Sequence, residues 1–366
     1  MKNDLQKYLS ETIERLMADA IKATLNNPRE SLFLLSFAAA SRRAAKTREG
    51  FEKEGEHIPP FLIASITRDC NLHCAGCFAH ANNNCAKDQK HREMTVEEWD
   101  GVFAEAETLG ISFIFLVGGE PMLCRDVIES AGHHGNILFP IITNGILMDD
   151  EYIRLFDKHR NLLPMISIEG KQEATDQRRG KGIYDQLLQT MERLSSRKIP
   201  FGVSITVTTD NYEEVTESCF LELLRGAGCK LVLYVEYVAT EESDGRLEPG
   251  EDQRAYMEER LAQLRKACDD VLFLSFPGDE NAYGGCLAAG RGFFHISAEG
   301  DAEPCPFAPF SDINVRETSL REAIRSRLFG RLEARDMLQE DHAGGCALSG
   351  KSTQIQELLK SEETQT

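Results

Sequence analysis

Six short apolar segments alternate with amphipathic helical segments between residues 61 and 240. The helical segment after the first of them has Thr95 as N-cap, Glu98 three residues later and Gly110 as its stop. Continuous apolar strands that alternate with helices predict an α/β fold with a parallel sheet, open or closed into a barrel. Ligands bind at the carboxyl ends of such strands. The six segments are FLIASIT, ISFIFLVGGEP, NILFPIITNG, LLPMISIEG, FGVSITVTT and KLVLYVEYV.

A group of cysteines follows the first of these segments. Cys70, Cys74 and Cys77 have the spacing C-x3-C-x2-C, and Cys85 follows after FAHANNN. Soft thiolates select zinc or an iron–sulfur cluster. A structural zinc site requires four ligands, and Cys85 would complete it. A four-iron cluster held by three cysteines instead leaves one iron open to another ligand.

The composition limits the class of protein. The chain has 366 residues and a formal net charge of −19, which argues against a nucleic acid or an anionic membrane as partner. The first ten residues are polar, and the longest apolar run, LFLLSFAAA, is too short to span a bilayer. We therefore expect a cytoplasmic protein whose eleven cysteines stay reduced, and metal binding would explain so many thiols.

The segment from about 60 to 240 resembles the radical S-adenosylmethionine enzymes, because the cysteine loop, GGEP, TNG and SIEG follow successive strands in the order of that family. The resemblance implies a partial (β/α)6 barrel of the TIM type. It also implies that Cys70, Cys74 and Cys77 hold a [4Fe-4S] cluster. The open iron of that cluster would bind the amino and carboxylate groups of S-adenosylmethionine.

The resemblance further assigns contacts with the methionine part of the cofactor. The GGEP segment would meet the methionine ammonium through its backbone carbonyls and the carboxylate of Glu120. Taken alone, GGE is equally well explained as a plain turn between a strand and a helix. The four residues of this segment are Gly118, Gly119, Glu120 and Pro121.

Three more residues resemble cofactor contacts of the family. Ser167 and the segment TDQRRG correspond to carboxylate and ribose contacts, with Arg179 as the partner of a carboxylate. Thr143 of TNG is a further candidate for the ribose. Arg179 taken alone is equally well explained as a solvated surface residue. The family usually has an aromatic residue just before the third cysteine, but this chain has Gly76 there and Phe78 after the cysteine. We therefore expect Phe78 to pack on the adenine side.

The implied chemistry belongs to the cofactor. In the family a reduced cluster transfers an electron to the sulfonium, and a 5′-deoxyadenosyl radical then abstracts hydrogen from the substrate. The electron would come from a flavodoxin or a ferredoxin. The protein would position the substrate and exclude water. The sequence contains no HExxH, GxSxG or Walker glycine loop that would indicate a different enzyme class.

Three cysteines in the last third of the chain suggest a second cluster. Cys286, Gly300 and Cys305 form a C-x13-G-x4-C pattern, and Cys346 follows in GGCAL. The stretch FFHISAEGDAEPCPF alternates like a hairpin with EGD as its turn. This pattern resembles the auxiliary-cluster extension called SPASM, and with three cysteines its shorter form, twitch. The alternative is that these thiols are buried core residues.

The remaining cysteines have no motif. Cys124 and Cys85 are candidates for extra cluster ligands or radical donors. The other three lie on predicted helices or strand ends, where we expect core or incidental roles: Cys219, Cys229 and Cys268.

The domain division follows from these patterns. The first 60 residues have helical periodicity, and the pair Pro59 and Pro60 ends the second helix before the first strand. These helices would cap the barrel, although the apolar run followed by arginines also suits an interfacial helix. We expect an N-terminal helical segment at 1–60, a radical S-adenosylmethionine core at 61–240, a connecting helix at 241–270, a SPASM- or twitch-like extension at 271–350 and a flexible tail at 351–366.

The substrate is not specified by the sequence. Relatives with such extensions modify peptides, sulfatase side chains, haem precursors and aminosugars, so a small molecule and a peptide both remain open. Two other classes stay open as well. An iron–sulfur protein that only transfers electrons or senses redox state would need clusters but no S-adenosylmethionine. A zinc-stabilised binding module would need neither an iron–sulfur cluster nor S-adenosylmethionine.

Overall fold

The computed structural model describes residues 13–14, 17–18, 20, 28–81, 92–239, 245–277, 285–338 and 346–360. Cys85 and most of the first predicted helix lie outside these residues. No helix in the described ranges is both long and apolar enough to cross a bilayer.

One nine-stranded sheet organises the chain. Its order is β7-β6-β5-β4-β3-β2-β1-β8-β9, and every neighbouring pair is parallel except β8 with β9. No ladder joins β7 to β9 in the described part of the chain, so the sheet is open. The predicted α/β fold with a partial barrel is confirmed. The strands are β1 Phe61–Ser65, β2 Phe113–Val117, β3 Phe139–Thr143, β4 Leu162–Ser167, β5 Gly202–Val207, β6 Leu231–Glu236, β7 Leu272–Phe276, β8 His295–Ile296 and β9 Ala302–Glu303.

Helices cross between the strands and continue beyond them. Short 3₁₀ turns occur at Pro121–Leu123, Glu214–Thr216 and Gly245–Leu247. The described α-helices are α1 Pro28–Lys53, α2 Phe78–Ala81, α3 Val96–Leu109, α4 Arg125–His133, α5 Asp150–Lys158, α6 Gln172–Arg179, α7 Ile183–Ser196, α8 Ser218–Gly226, α9 Glu251–Ala267, α10 Leu320–Ala323, α11 Arg327–Ala334 and α12 Ser352–Lys360.

Helix α3 has the boundaries that its end residues predict. Thr95 accepts a hydrogen bond from the backbone N–H of Glu98, and the Glu98 carboxylate accepts one from the backbone N–H of Thr95. Gly110 ends the helix in the left-handed conformation, with φ of 82°. The predicted capping box and glycine stop are therefore confirmed.

The two faces of β1 have different surroundings. Leu62 and Ala64 are completely buried in the main hydrophobic cluster, together with α3 residues such as Trp99. Ile63 and Ser65 point to the opposite face and are only half-buried. The open sheet therefore has one face covered by helices and one inner face that stays partly accessible beside the strand ends.

Helix α1 packs against the amino ends of the strands, which confirms the predicted second helix of the first 60 residues. Phe37 packs edge-on against Phe113 at the start of β2, with ring centroids 5.6 Å apart. The buried Arg48 donates to the carbonyl of Gly110, just before β2. Glu30 lies 3.6 Å from Arg160, just before β4. This helix thus lies at the edge of the sheet opposite to the predicted ligand site.

The last third of the chain joins the same sheet. β7 pairs with β6, and β8 pairs with β1 in the register Ile63 to His295. β8 and β9 form the predicted hairpin, which is confirmed. The sheet thus continues past residue 240 with three strands that lie in the predicted extension at 271–350. The domain boundaries themselves stay predictions.

Candidate functional site

The cysteine loop follows β1 at the carboxyl edge of the sheet. Cys70, Cys74 and Cys77 are free thiols of intermediate exposure. Burial raises the pKa of the Cys70 thiol, and the neighbouring Glu120, Cys74 and Cys77 raise it further. Burial also raises the pKa of Cys74. The three thiols therefore lie within electrostatic range of one another.

Two glycines let the end of β2 approach this loop closely. The backbone N–H of Gly119 donates to the carbonyl of Thr67 at 2.8 Å, and that of Glu120 donates to Asp69 at 2.8 Å. A Cβ on Gly118 would lie 2.3 Å from the Thr67 oxygen, and one on Gly119 would lie 2.1 Å from the Asp69 oxygen. Side chains at these positions would collide with backbone. The glycines of GGEP thus fix the loop against β2.

Glu120 is a buried carboxylate of the site, at 1% exposure. It accepts from the backbone N–H groups of Met122 and Asn144 at 3.0 and 2.7 Å, and from the hydroxyl of Thr143 at 2.6 Å. Burial raises the pKa of Glu120, whereas these hydrogen bonds oppose that rise. A carboxylate offers about four acceptor positions, so about one remains for a ligand. Pro121 begins the turn that presents the Met122 N–H.

Thr143 forms hydrogen bonds with Glu120 and with the turn after β3. It is 1% exposed at the end of β3, its hydroxyl proton is donated to Glu120, and its oxygen accepts from the Gly145 N–H at 3.0 Å. Its present contacts therefore orient Glu120. The neighbouring Asn144 donates to the side chain of Asn71 at 2.7 Å, which connects β3 to the cysteine loop.

Arg179 lies at the end of α6 beside the loop, with its side chain 11% exposed. Its Nη2 lies 2.5 Å from Oε1 of Glu169, and its Nη1 lies 3.9 Å from the sulfur of Cys74. Arg178 also lies near this carboxylate, with Nε at 3.3 Å. Glu169 was not among the site residues predicted from the sequence. The sequence feature that could have indicated Glu169 is its position: it is the acidic residue of SIEG, directly after the apolar strand β4.

The other two predicted contacts lie at the rim of this group. Ser167 is the last residue of β4, is 6% exposed and pairs in register with Ser204 of β5. The ring of Phe78 lies 4.9 Å from that of Phe307, two residues after Cys305. The two cysteine regions of the chain thus meet through a pair of aromatic rings.

The C-terminal cysteines all belong to or contact the main hydrophobic core. Cys286 and Cys305 are buried, and Cys346 packs against the same hydrophobic cluster. None of them is in a disulfide. The backbone N–H of Ala289 donates to the carbonyl of Pro304, so the segments that carry Cys286 and Cys305 are adjacent.

The remaining described cysteines have separate surroundings. Cys124 lies near the end of β1, with its sulfur 3.9 Å from the carbonyl of Ile66. Cys219 is exposed on α8. Cys229 is buried, and burial raises its pKa to about 12. Cys268 follows α9.

The chemistry of the first cysteine loop suits an anionic cluster. Among the described residues, no set of three His, Cys, Asp or Glu side chains is arranged to hold a single metal ion. A four-iron cluster is larger and binds each thiolate on a different iron. Two buried donors beside the loop have no hydrogen-bond partner: Nε of Arg179 and the hydroxyl of Tyr237. Buried donors normally have partners, so the donor set fits a bound anionic group.

The middle of the chain is similar to a known protein family. Residues 64–225 match the model of the radical SAM superfamily. The AdoMet-dependent heme synthase of Methanosarcina barkeri is 27% identical over 289 residues, which cover 72% of this chain and 81% of that protein. The PqqA peptide cyclase of Rhizobium meliloti is 27% identical over 299 residues, covering 77% of this chain and 78% of that protein.

Comparison of structures gives the same fold. The crystal structure of Streptococcus suis SuiB bound to S-adenosylmethionine superposes with a TM-score of 0.65 at 16% sequence identity. The match covers 80% of this chain and 72% of SuiB. At this identity the likeness concerns the fold alone.

Proposed function

We propose that this chain, which belongs to the radical S-adenosylmethionine superfamily, holds a [4Fe-4S] cluster through Cys70, Cys74 and Cys77 and cleaves S-adenosylmethionine reductively. The observation that carries the proposal is the arrangement of three free thiols on one loop beside the buried Glu120 and the unpaired Nε of Arg179. When bound, the cluster and cofactor would supply a 5′-deoxyadenosyl radical that abstracts hydrogen from the substrate.

The chain's own residues would bind and orient the cofactor. The free acceptor position of Glu120 suits an ammonium group, because Thr143 and two backbone N–H groups already fix the carboxylate. Arg179 has one nitrogen on Glu169 and its Nε free, which suits a carboxylate or a cluster sulfur. Burial of these groups excludes water and strengthens each of these interactions.

A second iron–sulfur cluster is part of the proposal. Cys286, Cys305 and Cys346 would be its ligands in the SPASM- or twitch-like extension. Support comes from the burial of Cys286 and Cys305, from the packing of Cys346 against the same hydrophobic core and from the backbone contact between the segments of Cys286 and Cys305. Such a cluster would transfer electrons or bind substrate.

We propose a peptide as the substrate and a flavodoxin or ferredoxin as the electron donor. The support for a peptide is the PqqA peptide cyclase among the relatives. The AdoMet-dependent heme synthase makes a small molecule the second candidate. In either case the substrate would enter from the half-open inner face, where Ile63 and Ser65 are partly accessible.

The test begins with anaerobic reconstitution with iron and sulfide. The loaded protein, dithionite and S-adenosylmethionine should yield 5′-deoxyadenosine, detected by mass spectrometry. The variant with alanine at Cys70, Cys74 and Cys77 should yield none and keep about half of the iron if a second cluster is present. Cys219→Ala is the matched control, because this cysteine is exposed on α8.

Other outcomes separate the alternatives. Loss of all iron in the triple variant would contradict the second cluster. A loaded protein that produces no 5′-deoxyadenosine with any peptide or tetrapyrrole offered would favour an electron-transfer protein. A colourless protein that binds zinc would contradict the cluster at the first loop.

A further inference from the structure

Tyr237 lies directly against the cysteine loop. It follows β6, and its backbone N–H donates to the carbonyl of Val207 at 2.9 Å, which continues the pairing with β5. The residue is 3% exposed. Its ring faces Gly76, the residue before Cys77. A ring from the end of β6 thus closes one side of the loop.

Gly76 is the residue that makes this approach possible. A Cβ on Gly76 would lie 2.9 Å from Cε2 and 3.3 Å from the hydroxyl oxygen of Tyr237. Gly76 also has a φ of +65°, where a side chain is strained. The missing side chain at position 76 therefore leaves the space that the Tyr237 ring occupies.

The hydroxyl of Tyr237 is buried and has no hydrogen-bond partner. An unpaired buried hydroxyl destabilises the fold, and buried tyrosines normally have a partner. The polar side chain beside it is Arg178, whose guanidinium carbon lies 6.0 Å from the ring centroid. A guanidinium donates only, so it leaves the hydroxyl proton without an acceptor.

An acceptor for this proton would have to lie in front of the loop. Gly76 lies between Cys74 and Cys77 in the sequence, so a cluster held by these cysteines would lie near Gly76 and the Tyr237 ring that packs against it. The nearby Glu169 carboxylate is already bound by Arg179 and by the backbone N–H of Thr206. Sulfur is therefore the acceptor that the surroundings favour.

We propose that Tyr237 donates a hydrogen bond to a thiolate or sulfide sulfur of the cluster held at this loop and raises its reduction potential. The inference rests on the proposed function. A donor to sulfur stabilises the reduced cluster more than the oxidised one, because reduction adds negative charge. Tyr237 is thus a tuning residue: it adjusts the potential and is not required to hold the iron.

The test compares Tyr237→Phe with the wild-type chain after reconstitution. Both are titrated by potential without S-adenosylmethionine, and the reduced cluster is followed by electron paramagnetic resonance. Phe keeps the ring and removes only the unpaired hydroxyl, so folding and iron content should be unchanged. The midpoint potential should fall. A tenfold lower ratio of reduced to oxidised cluster at a fixed potential corresponds to a midpoint potential that is about 59 mV lower. Tyr256→Phe, at an exposed tyrosine, is the control and should not change the potential.

The outcomes separate this inference from the proposed function. An unchanged potential in Tyr237→Phe would overturn the inference while the cluster stays in place. Loss of the cluster in that variant would also contradict it, because a hydrogen bond that only tunes the potential does not decide loading. A wild-type chain that loads no cluster would instead contradict the proposed function.

Discussion

His295 connects the last part of the sheet to its first strand. Its Nε2 lies 2.7 Å from the hydroxyl oxygen of Ser65, and its Nδ1 lies 2.6 Å from the carboxylate of Glu303. Ser65 and His295 are 230 residues apart in the sequence. The imidazole and the Glu303 carboxylate are both buried, at 1% and 7% exposure. This chain of hydrogen bonds joins the β8–β9 hairpin to β1.

Replacing His295 should destabilise the protein strongly. His295→Ala would leave the Glu303 carboxylate buried without its partner, and such a loss costs about 3 kcal/mol or more. Ser65→Ala removes one half-exposed hydroxyl and should cost about 1 kcal/mol. Denaturant unfolding of both variants checks the difference. An equal loss of unfolding free energy in the two variants would show that the imidazole of His295 stabilises the buried Glu303 carboxylate little.

Stability should fall with rising pH because of Glu30. Burial raises the pKa of Glu30 from 4.5 to about 7, even though Arg160 lowers it. A carboxyl whose pKa is higher in the folded state favours the folded chain below the unfolded pKa, and this contribution is lost as pH rises through about 7. One pKa unit corresponds to about 1.4 kcal/mol, so the free energy of unfolding should fall by about 3 kcal/mol at most between pH 5 and 8.

The Glu30 prediction is checked by denaturant unfolding across this pH range. Glu30→Gln cannot ionise and should remove the decline. Glu49→Gln, on the exposed side of the same helix, is the control and should keep it. A decline of equal size in Glu30→Gln would assign the pH dependence to other groups.

Gly119→Ala should prevent the loop from holding iron. The new Cβ would lie 2.1 Å from the carbonyl oxygen of Asp69, so the loop backbone must move. We expect iron per chain after reconstitution to fall severalfold. Gly101→Ala lies on α3 with no atom within 4 Å of the new Cβ, and it should load like the wild type. Normal loading in Gly119→Ala would mean that close contact with β2 is dispensable.

Glu120→Gln should weaken cofactor binding and leave the cluster in place. The amide has one acceptor oxygen, so it cannot keep all three present hydrogen bonds and also receive an ammonium group. Loss of a charged hydrogen bond of about 1.5–3 kcal/mol corresponds to about 10- to 100-fold weaker binding. Calorimetric titration of the loaded variant with S-adenosylmethionine measures this. Unchanged affinity would place the ammonium elsewhere.

Periodicity and end signals predicted the framework because both are local properties. The six apolar strands, the caps of α3 and the β8–β9 hairpin are all present. Contacts between distant segments were not predictable from spacing. Examples are the pairing of β8 with β1, the hydrogen bond between His295 and Ser65 and the ring of Tyr237 against Gly76. Each joins residues whose proximity depends on how the whole sheet assembles.

The position of β8 has a consequence for biosynthesis. β1 leaves the ribosome early, but its outer neighbour in the sheet is made about 230 residues later. Until then the β1 edge next to the cysteine loop is unpaired, and unpaired edges recruit other chains. Translation thus creates an interval in which the first cysteine loop is complete, yet the strand edge beside it is still open to pairing with other chains and to aggregation.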